Sequence, residues 1–203
     1  DFDFSGLAEN AYGWWKITNG QVDFSYVGYE QNGSNWWYVY GGQVCFQATD
    51  VLPGTVGGQY GWWKVCEGKV NFDDDVCENA YGWWKITTGK VDFQYTGLAQ
   101  NACGWWMIQN GHVNFGSNGL VDNGNGWWLV KNGGVDFNYN GLVDNGNGWW
   151  LIRNGYVDFN YNGLVDNGNG WWLVKNGCVD FSYQGYVQNE CGVWWVSNGQ
   201  VQF

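Results

Sequence analysis

The sequence predicts an all-β fold: a β-solenoid of about nine stacked β-hairpin repeats with a roughly 22-residue period. Three observations predict it. All 18 tryptophans fall in nine adjacent Trp-Trp pairs. The pairs recur at 22 residues in five of the eight intervals, and at 26, 21 and 23 in the others. In the cleanest copies an Asn-Gly step, such as Asn132-Gly133, stands between two short apolar runs. A fixed period of this size marks a repeat architecture. Asn-Gly between apolar runs is the strongest short-range hairpin signal, because both residues tolerate the positive φ of a type I′ turn.

One full copy runs from Gly126 to Asn147. A turn centred on Asn132-Gly133 sets Lys131 against Gly134, Val130 against Val135, Leu129 against Asp136 and Trp128 against Phe137. Side chains alternate along a strand. One face therefore carries Trp128, Val130, Val135 and Phe137, and the other carries Trp127, Leu129, Lys131, Gly134 and Asp136. In the first and fourth hairpins a lysine faces an aspartate, Lys16 with Asp23 and Lys85 with Asp92, a pairing worth about 0.2–1 kcal/mol. In the last copy Val193 replaces the first Trp and Trp194 keeps the second slot. The second Trp is thus expected to build the hairpin core, and the first to face a neighbouring repeat or a ligand.

Between hairpins runs a Tyr-x-Gly-Leu-Val-x-Asn segment, as at Tyr161 to Asn167, read as a bend plus a short strand or extended linker. A single hairpin is marginal in water, so the hairpins must stack. The irregular stretch Asp50 to Gly58 reads as a tolerated insertion that lengthens the linker before the third hairpin. The whole chain, 1–203, is read as one repeat array. Its hairpins start near residues 14, 36, 62, 83, 105, 127, 149, 171 and 193. Residues 1–6 align with Asp23 to Gly28 in mid-repeat, so the array is expected to be a piece excised from a longer surface protein.

Composition narrows the function. The formal net charge is −11, the opposite of the basic footprint of nucleic-acid and anionic-membrane binders. A negative surface also disfavours polyanions unless contact is made through a cationic substituent. No stretch reaches the roughly 18 apolar residues of a membrane span. Repetition argues against an enzyme, because chemistry needs one unique site. The carboxylates Asp92, Asp136, Asp158 and Asp180 share one repeat slot, so no glycosidase pair stands out. His112 is the only histidine and sits beside a turn. No metal or cofactor is expected. No Cys-x-x-Cys occurs, and Asp144-Asn145-Gly146-Asn147-Gly148 lacks the ligands of an EF-hand. The run Asp73 to Asp75 reads as a solvated loop. Six cysteines offer two short closures, Cys66 with Cys77 and Cys178 with Cys191, and an even count favours an extracellular setting.

Eight first-slot tryptophans left fully exposed would present well over about 1,000 Å² of apolar surface, against roughly 300–600 Å² for the largest patch of a typical monomer. Most are therefore expected to be at least half buried, with edges left in grooves between repeats.

The unit Gly148-Trp149-Trp150-Leu151-Ile152-Arg153-Asn154-Gly155-Tyr156-Val157-Asp158-Phe159 resembles the aromatic hairpin repeats of bacterial surface proteins: the choline-binding and glucan-binding cell-wall-binding repeats. The resemblance extends over essentially the whole chain. It implies hairpins wound into a superhelix with ligands between successive hairpins, and aromatic cages around a quaternary ammonium in choline-binding members. Cage walls would be first-slot tryptophans and linker tyrosines. The ligand-binding candidates are Trp105, Trp127, Trp149, Trp171, Tyr139, Tyr161 and Tyr183. If three hairpins make one turn, as the resemblance suggests, Cys45 and Cys103 come one turn apart and form a candidate bond.

The expected function is a non-catalytic binding module of a bacterial surface or secreted protein. It would attach that protein to cell-wall or other polysaccharide by multivalent, individually weak contacts. Two alternatives stand beside it: an adhesin for a host protein, either immunoglobulin or a mucosal glycoprotein, and a ligand-free stalk.

Overall fold

The computed structural model describes residues 2–203. Among them are 27 β-strands and no helix, so no helix is long and apolar enough to cross a membrane. The strands fall in nine triplets. In one repeat these are an opening strand Gly141–Asp144, a tryptophan strand Trp149–Arg153 and a closing strand Tyr156–Val157. All-β architecture built from repeated antiparallel hairpins is thus observed. Contacts divide the chain into two units: the residues up to Cys103 with Ile108–Val113, and Gly104–Met107 with Asn114–Phe203.

The turn chemistry is as read from sequence. Asn132 and Gly133 have φ of 49° and 79°, the pair of positive values a type I′ turn requires. Lys131 pairs with Gly134 and Val130 with Val135. The register stops there. The closing strand is only two residues long, and Trp128 pairs with Tyr156 of the following repeat instead of with Phe137. The chain bends because the Tyr139 N–H donates to the Asp136 carbonyl (3.3 Å), while the Asp136 carboxylate accepts the Asn138 N–H (3.2 Å). The edge of the tryptophan strand is thereby left open to the next repeat.

Of the two readings of the linker, the short strand is the one observed. Leu142 pairs with Leu151, Val143 with Trp150 and Asp144 with Trp149. The Asp50 to Gly58 stretch likewise lengthens the hairpin itself and not a loop. Asp50–Val56 is an opening strand paired along its length with Gln59–Val65. Tyr29 of the preceding repeat packs against Gly54 and donates its hydroxyl to the Leu52 carbonyl (2.9 Å).

Successive repeats are joined by hydrogen bonds through the turn glycine. In the second unit the Leu129 N–H donates to the Gly155 carbonyl (2.8 Å), and the Gly155 N–H donates to the Tyr139 carbonyl (3.0 Å). In the first unit Lys16, Tyr38, Lys64 and Lys85 donate in the same way to Gly42, Gly68, Gly89 and Gly111.

The core is one aliphatic slot repeated. Val39, Ile86, Ile108, Val130, Ile152, Val174 and Val196 have no exposed surface, and each buried side chain contributes about 1.5–3 kcal/mol. The face read as mixed is internal too. Leu129 is buried against Ile152 and Val157 of the next repeat. Lys16 occupies the slot equivalent to Leu129 and reaches Glu30 of the next repeat (2.8 Å) instead of Asp23. Lys85 similarly reaches Asp74 (3.4 Å) instead of Asp92. The cross-strand charge pair appears where the turn-flanking residue is basic: Lys131–Asp136, Arg153–Asp158 and Lys175–Asp180, at 2.9, 3.2 and 2.9 Å.

All six cysteines are free thiols. The Cys66–Cys77, Cys178–Cys191 and Cys45–Cys103 bonds are absent, and the buried valines and isoleucines hold the repeats together without them.

Candidate functional site: aromatic corners between repeats

Each repeat contributes three rings at fixed slots, and adjacent repeats bring them together. Trp127 meets Trp150 of the next repeat at 5.2 Å between centroids and 52° between planes, and Phe159 of that repeat at 6.0 Å and 84°. Trp150 and Phe159 close the third side at 5.7 Å and 70°. The same corner is built by Trp149, Trp172 and Phe181, by Trp105, Trp128 and Phe137, and by Trp14, Trp37 and Phe46. The first-slot tryptophans are all half-buried, and the phenylalanines Phe46, Phe137 and Phe181 are exposed. These three corners are half-buried at their tryptophan base and open at their phenylalanine rim, whereas Phe159 is half-buried.

One corner has a fourth wall. Trp62, Tyr81, Trp84, Val91 and Phe93 line a cavity of about 300 Å³. Tyr81 stands edge-on to Trp62 at 5.5 Å, and Phe93 edge-on to Trp84 at 5.5 Å. Tyr81 is supplied by the turn before the tryptophan strand. Its N–H is fixed by the Asn79 side chain at 2.9 Å, which holds the ring over the cavity while leaving it 74% exposed.

A ring face that borders such an opening offers the negative side of its quadrupole, which favours a cation within about 6 Å of the centroid. The wall residues offer no hydrogen-bond acceptor set for a primary ammonium, whose three N–H groups would lose their water. A quaternary ammonium has no N–H to satisfy and gives up little on entry. The geometry therefore suits a trimethylammonium group.

The sequence-derived candidates divide into two groups. Trp105, Trp127 and Trp149 stand in the corners described. Trp171 packs with Trp194 on the Leu173–Val196 cluster. Tyr139, Tyr161 and Tyr183 pack on the same core clusters as Trp127, Trp149 and Trp171 but are engaged at the bend. Their hydroxyls donate to the carbonyls of Leu142, Leu164 and Tyr186 at 3.1, 3.0 and 3.1 Å. Their ring faces lie under Lys131, Arg153 and Lys175 at 4.2, 4.5 and 4.3 Å. Those cations also bind Asp136, Asp158 and Asp180, and the Lys131 hydrogen bond holds the Asp136 carboxyl below the usual carboxylate range. The tyrosines thus brace the bend, and the third ring of each corner is a phenylalanine. The signal for it was a phenylalanine at 24, 46, 72, 93, 115, 137, 159, 181 and 203, present in every copy. His112 is turned onto Trp84 at 4.9 Å, in the slot where Tyr156 meets Trp128 at 5.0 Å.

Two solved structures with similarity are those of CbpJ from Streptococcus pneumoniae TIGR4 (18% identity, 91% of this chain, 62% of that chain, TM-score 0.38) and choline binding protein F from Streptococcus pneumoniae (19%, 91%, 61%, TM-score 0.38). This chain spans about three fifths of the length of each. No curated protein matches it. The model of the choline-binding repeat matches residues 3–23, 25–45, 94–114, 116–136, 138–158 and 160–180, more than half of the sequence. With its repeated hairpins and aromatic slots, the chain belongs to the choline-binding repeat family.

Proposed function

We propose that the chain is a non-catalytic attachment module of a bacterial surface or secreted protein, acting outside the cell. It holds choline-bearing cell-wall polysaccharide in the aromatic corners between repeats. Within each of the two units the corners recur from one repeat to the next. The observation that carries this reading is the three-ring corner, repeated in four places with the two tryptophan planes inclined at 38–52°, and joined by a fourth ring, Tyr81, at Trp62. The net charge of −11 favours a cationic ligand and repels an anionic polymer except at its cationic substituents. Each corner binds weakly, and several engaged on one polymer raise the overall affinity through effective concentration.

The test is a titration of tryptophan fluorescence with choline chloride, beside one with ethanolamine, the primary-ammonium counterpart. Choline should give a saturable change that ethanolamine does not. Phe93→Ala and Phe159→Ala should each weaken it while leaving the chain folded. Retention on insoluble bacterial cell wall, released by free choline, is the companion result. A chain that treats both amines alike, or that binds wall without release by choline, does not work this way.

A further inference from the structure

We infer that the repeats carrying the Asp-Asn-Gly-Asn turn hold an uncharged, hydroxyl-rich oligosaccharide in a second groove, which shares Trp127 with one aromatic corner and none of that corner's other rings. A cavity of about 500 Å³ opens beside Trp127, with Asn118, Asp122, Asp144, Asn145 and Asn147 among its walls. Asp122 and Asp144 each use one carboxylate oxygen to accept a backbone N–H, from Gly124 and Gly146 at 2.8 Å. Asn145 accepts the Asn147 N–H at 3.0 Å. The second carboxylate oxygens, the Asn145 amide N–H groups and the whole Asn147 amide make no further hydrogen bond among the described residues. The groove thus sets acceptors and amide donors around an aromatic surface, the combination that matches hydroxyls on the edge of a pyranose ring and C–H groups on its face. None of these wall residues is cationic, which disfavours an acidic sugar. The same residue types recur one repeat on, at Asn140, Asp144, Trp149, Asp166, Asn167 and Asn169.

A second observation singles out the same repeats. Elsewhere an asparagine five residues before the second-slot tryptophan accepts its indole N–H: Asn10 from Trp15, Asn79 from Trp84 and Asn189 from Trp194, at 3.1, 3.0 and 2.9 Å. Asn123, Asn145 and Asn167 stand at that same spacing, yet they accept only the backbone N–H two residues on. The Trp128, Trp150 and Trp172 indole nitrogens are left buried without an acceptor. A buried unsatisfied donor costs about 1–3 kcal/mol. The chain holds a satisfied solution in three other repeats and forgoes it three times in succession. The same turn places Asn145 and Asn147 on the groove. A local rule broken repeatedly in favour of an exposed polar surface is the mark of a functional site.

The inference stands independently of choline binding, and one experiment separates the two. The whole chain, labelled with ¹⁵N, is titrated with maltotetraose, isomaltotetraose and chitotetraose, and the indole N–H resonances are followed. At least one sugar should shift the Trp127 signal saturably, with choline present or absent. Asn147→Ala removes a side chain that makes no internal hydrogen bond, so it leaves the turn intact. Together with Asp144→Asn it should weaken the sugar by about tenfold, or 1.4 kcal/mol, and leave choline titration unchanged. Phe159→Ala should do the reverse. No saturable shift with any of the three sugars overturns the inference. So does a shift that choline displaces, or one that the Asn147→Ala and Asp144→Asn variant leaves unchanged.

Discussion

Gly155 is seated on the carbonyl of Asp136, one repeat earlier. A Cβ at Gly155 would stand 2.5 Å from that oxygen and 2.9 Å from the Phe137 Cα, and its φ is 76°. The second glycine of the turn thus has two duties. It closes its own hairpin, and it lets that hairpin dock on the bend of the one before. The same approach recurs at Gly42, Gly68, Gly89, Gly111, Gly133, Gly177 and Gly199.

Gly155→Ala should destabilise the fold by about 2–4 kcal/mol, of which the positive φ accounts for about 1–2. Gly33 provides the control, since its φ is 61° and nothing lies within 4 Å of a Cβ there. Gly33→Ala should cost only the conformational part. Urea unfolding midpoints for the two variants check this, and equal midpoints would refute the docking role.

Asn79 and Asn145 occupy the same sequence slot and should behave differently. Asn79 donates to the Val51 carbonyl and accepts from Tyr81 and Trp84. Asn145 accepts from Asn147. Asn79→Ala should cost about 2–3 kcal/mol and Asn145→Ala under about 1 kcal/mol. Thermal denaturation of both variants decides it.

Tyr81 is a wall of the Trp62 cavity and contributes little to the core, being largely exposed. Tyr81→Ala should lower choline affinity at that corner several-fold, within the roughly 0.5–2 kcal/mol of one cation–π contact, with a thermal midpoint close to that of the parent. A fall in stability with no change in affinity would assign the ring to packing.

Acid should weaken the fold. Burial acts to raise the Asp75 pKa, but the hydrogen bond from Lys64 at 2.7 Å and the Val76 N–H outweigh it, so the net shift is downward. The Thr88 N–H and Lys85 lower Asp74 in the same direction. A carboxylate held below its unfolded value adds stability above that value and loses it as pH falls through the folded value. The thermal midpoint should therefore be flat above about pH 5 and decline below about pH 4. Asp75→Asn should reduce the decline and lower the plateau.

Thiol reactivity should separate the cysteines. Cys103 and Cys191 are exposed, whereas burial, with Asp75 nearby, pushes the Cys77 thiol up to about 12. At pH 8 a thiol reagent should modify Cys103 and Cys191 first and Cys77 last, read by mass mapping. Early labelling of Cys77 would place it outside the packed strand.

Much of this was legible in the sequence. The Trp-Trp period set the repeat, and Asn132-Gly133 set the turn and the first two rungs of the hairpin. Val193 at the first slot of the last copy separated a replaceable tryptophan from an invariant one. These are local matters, governed by side-chain alternation and by the φ that a residue tolerates. The chain alone also pointed to aromatic residues meeting between repeats, and Trp105, Trp127 and Trp149 each contact a tryptophan of the next repeat.

The remainder depended on neighbours. Phe137 and Tyr139 are two residues apart and both aromatic, and only the bend at Asp136 decides which becomes a rim and which a brace under Lys131. Trp128 has an apolar partner available within its own hairpin, yet the closing strand ends after Val135 and Trp128 pairs with Tyr156 instead. Asn79 and Asn145 are identical in type and slot and both accept the N–H two residues on, yet only Asn79 also meets the indole N–H of its tryptophan. Sequence pattern fixes what each residue prefers. Tertiary packing decides which of two equally suitable partners arrives within hydrogen-bond or contact distance, because that depends on where the adjacent repeat is held.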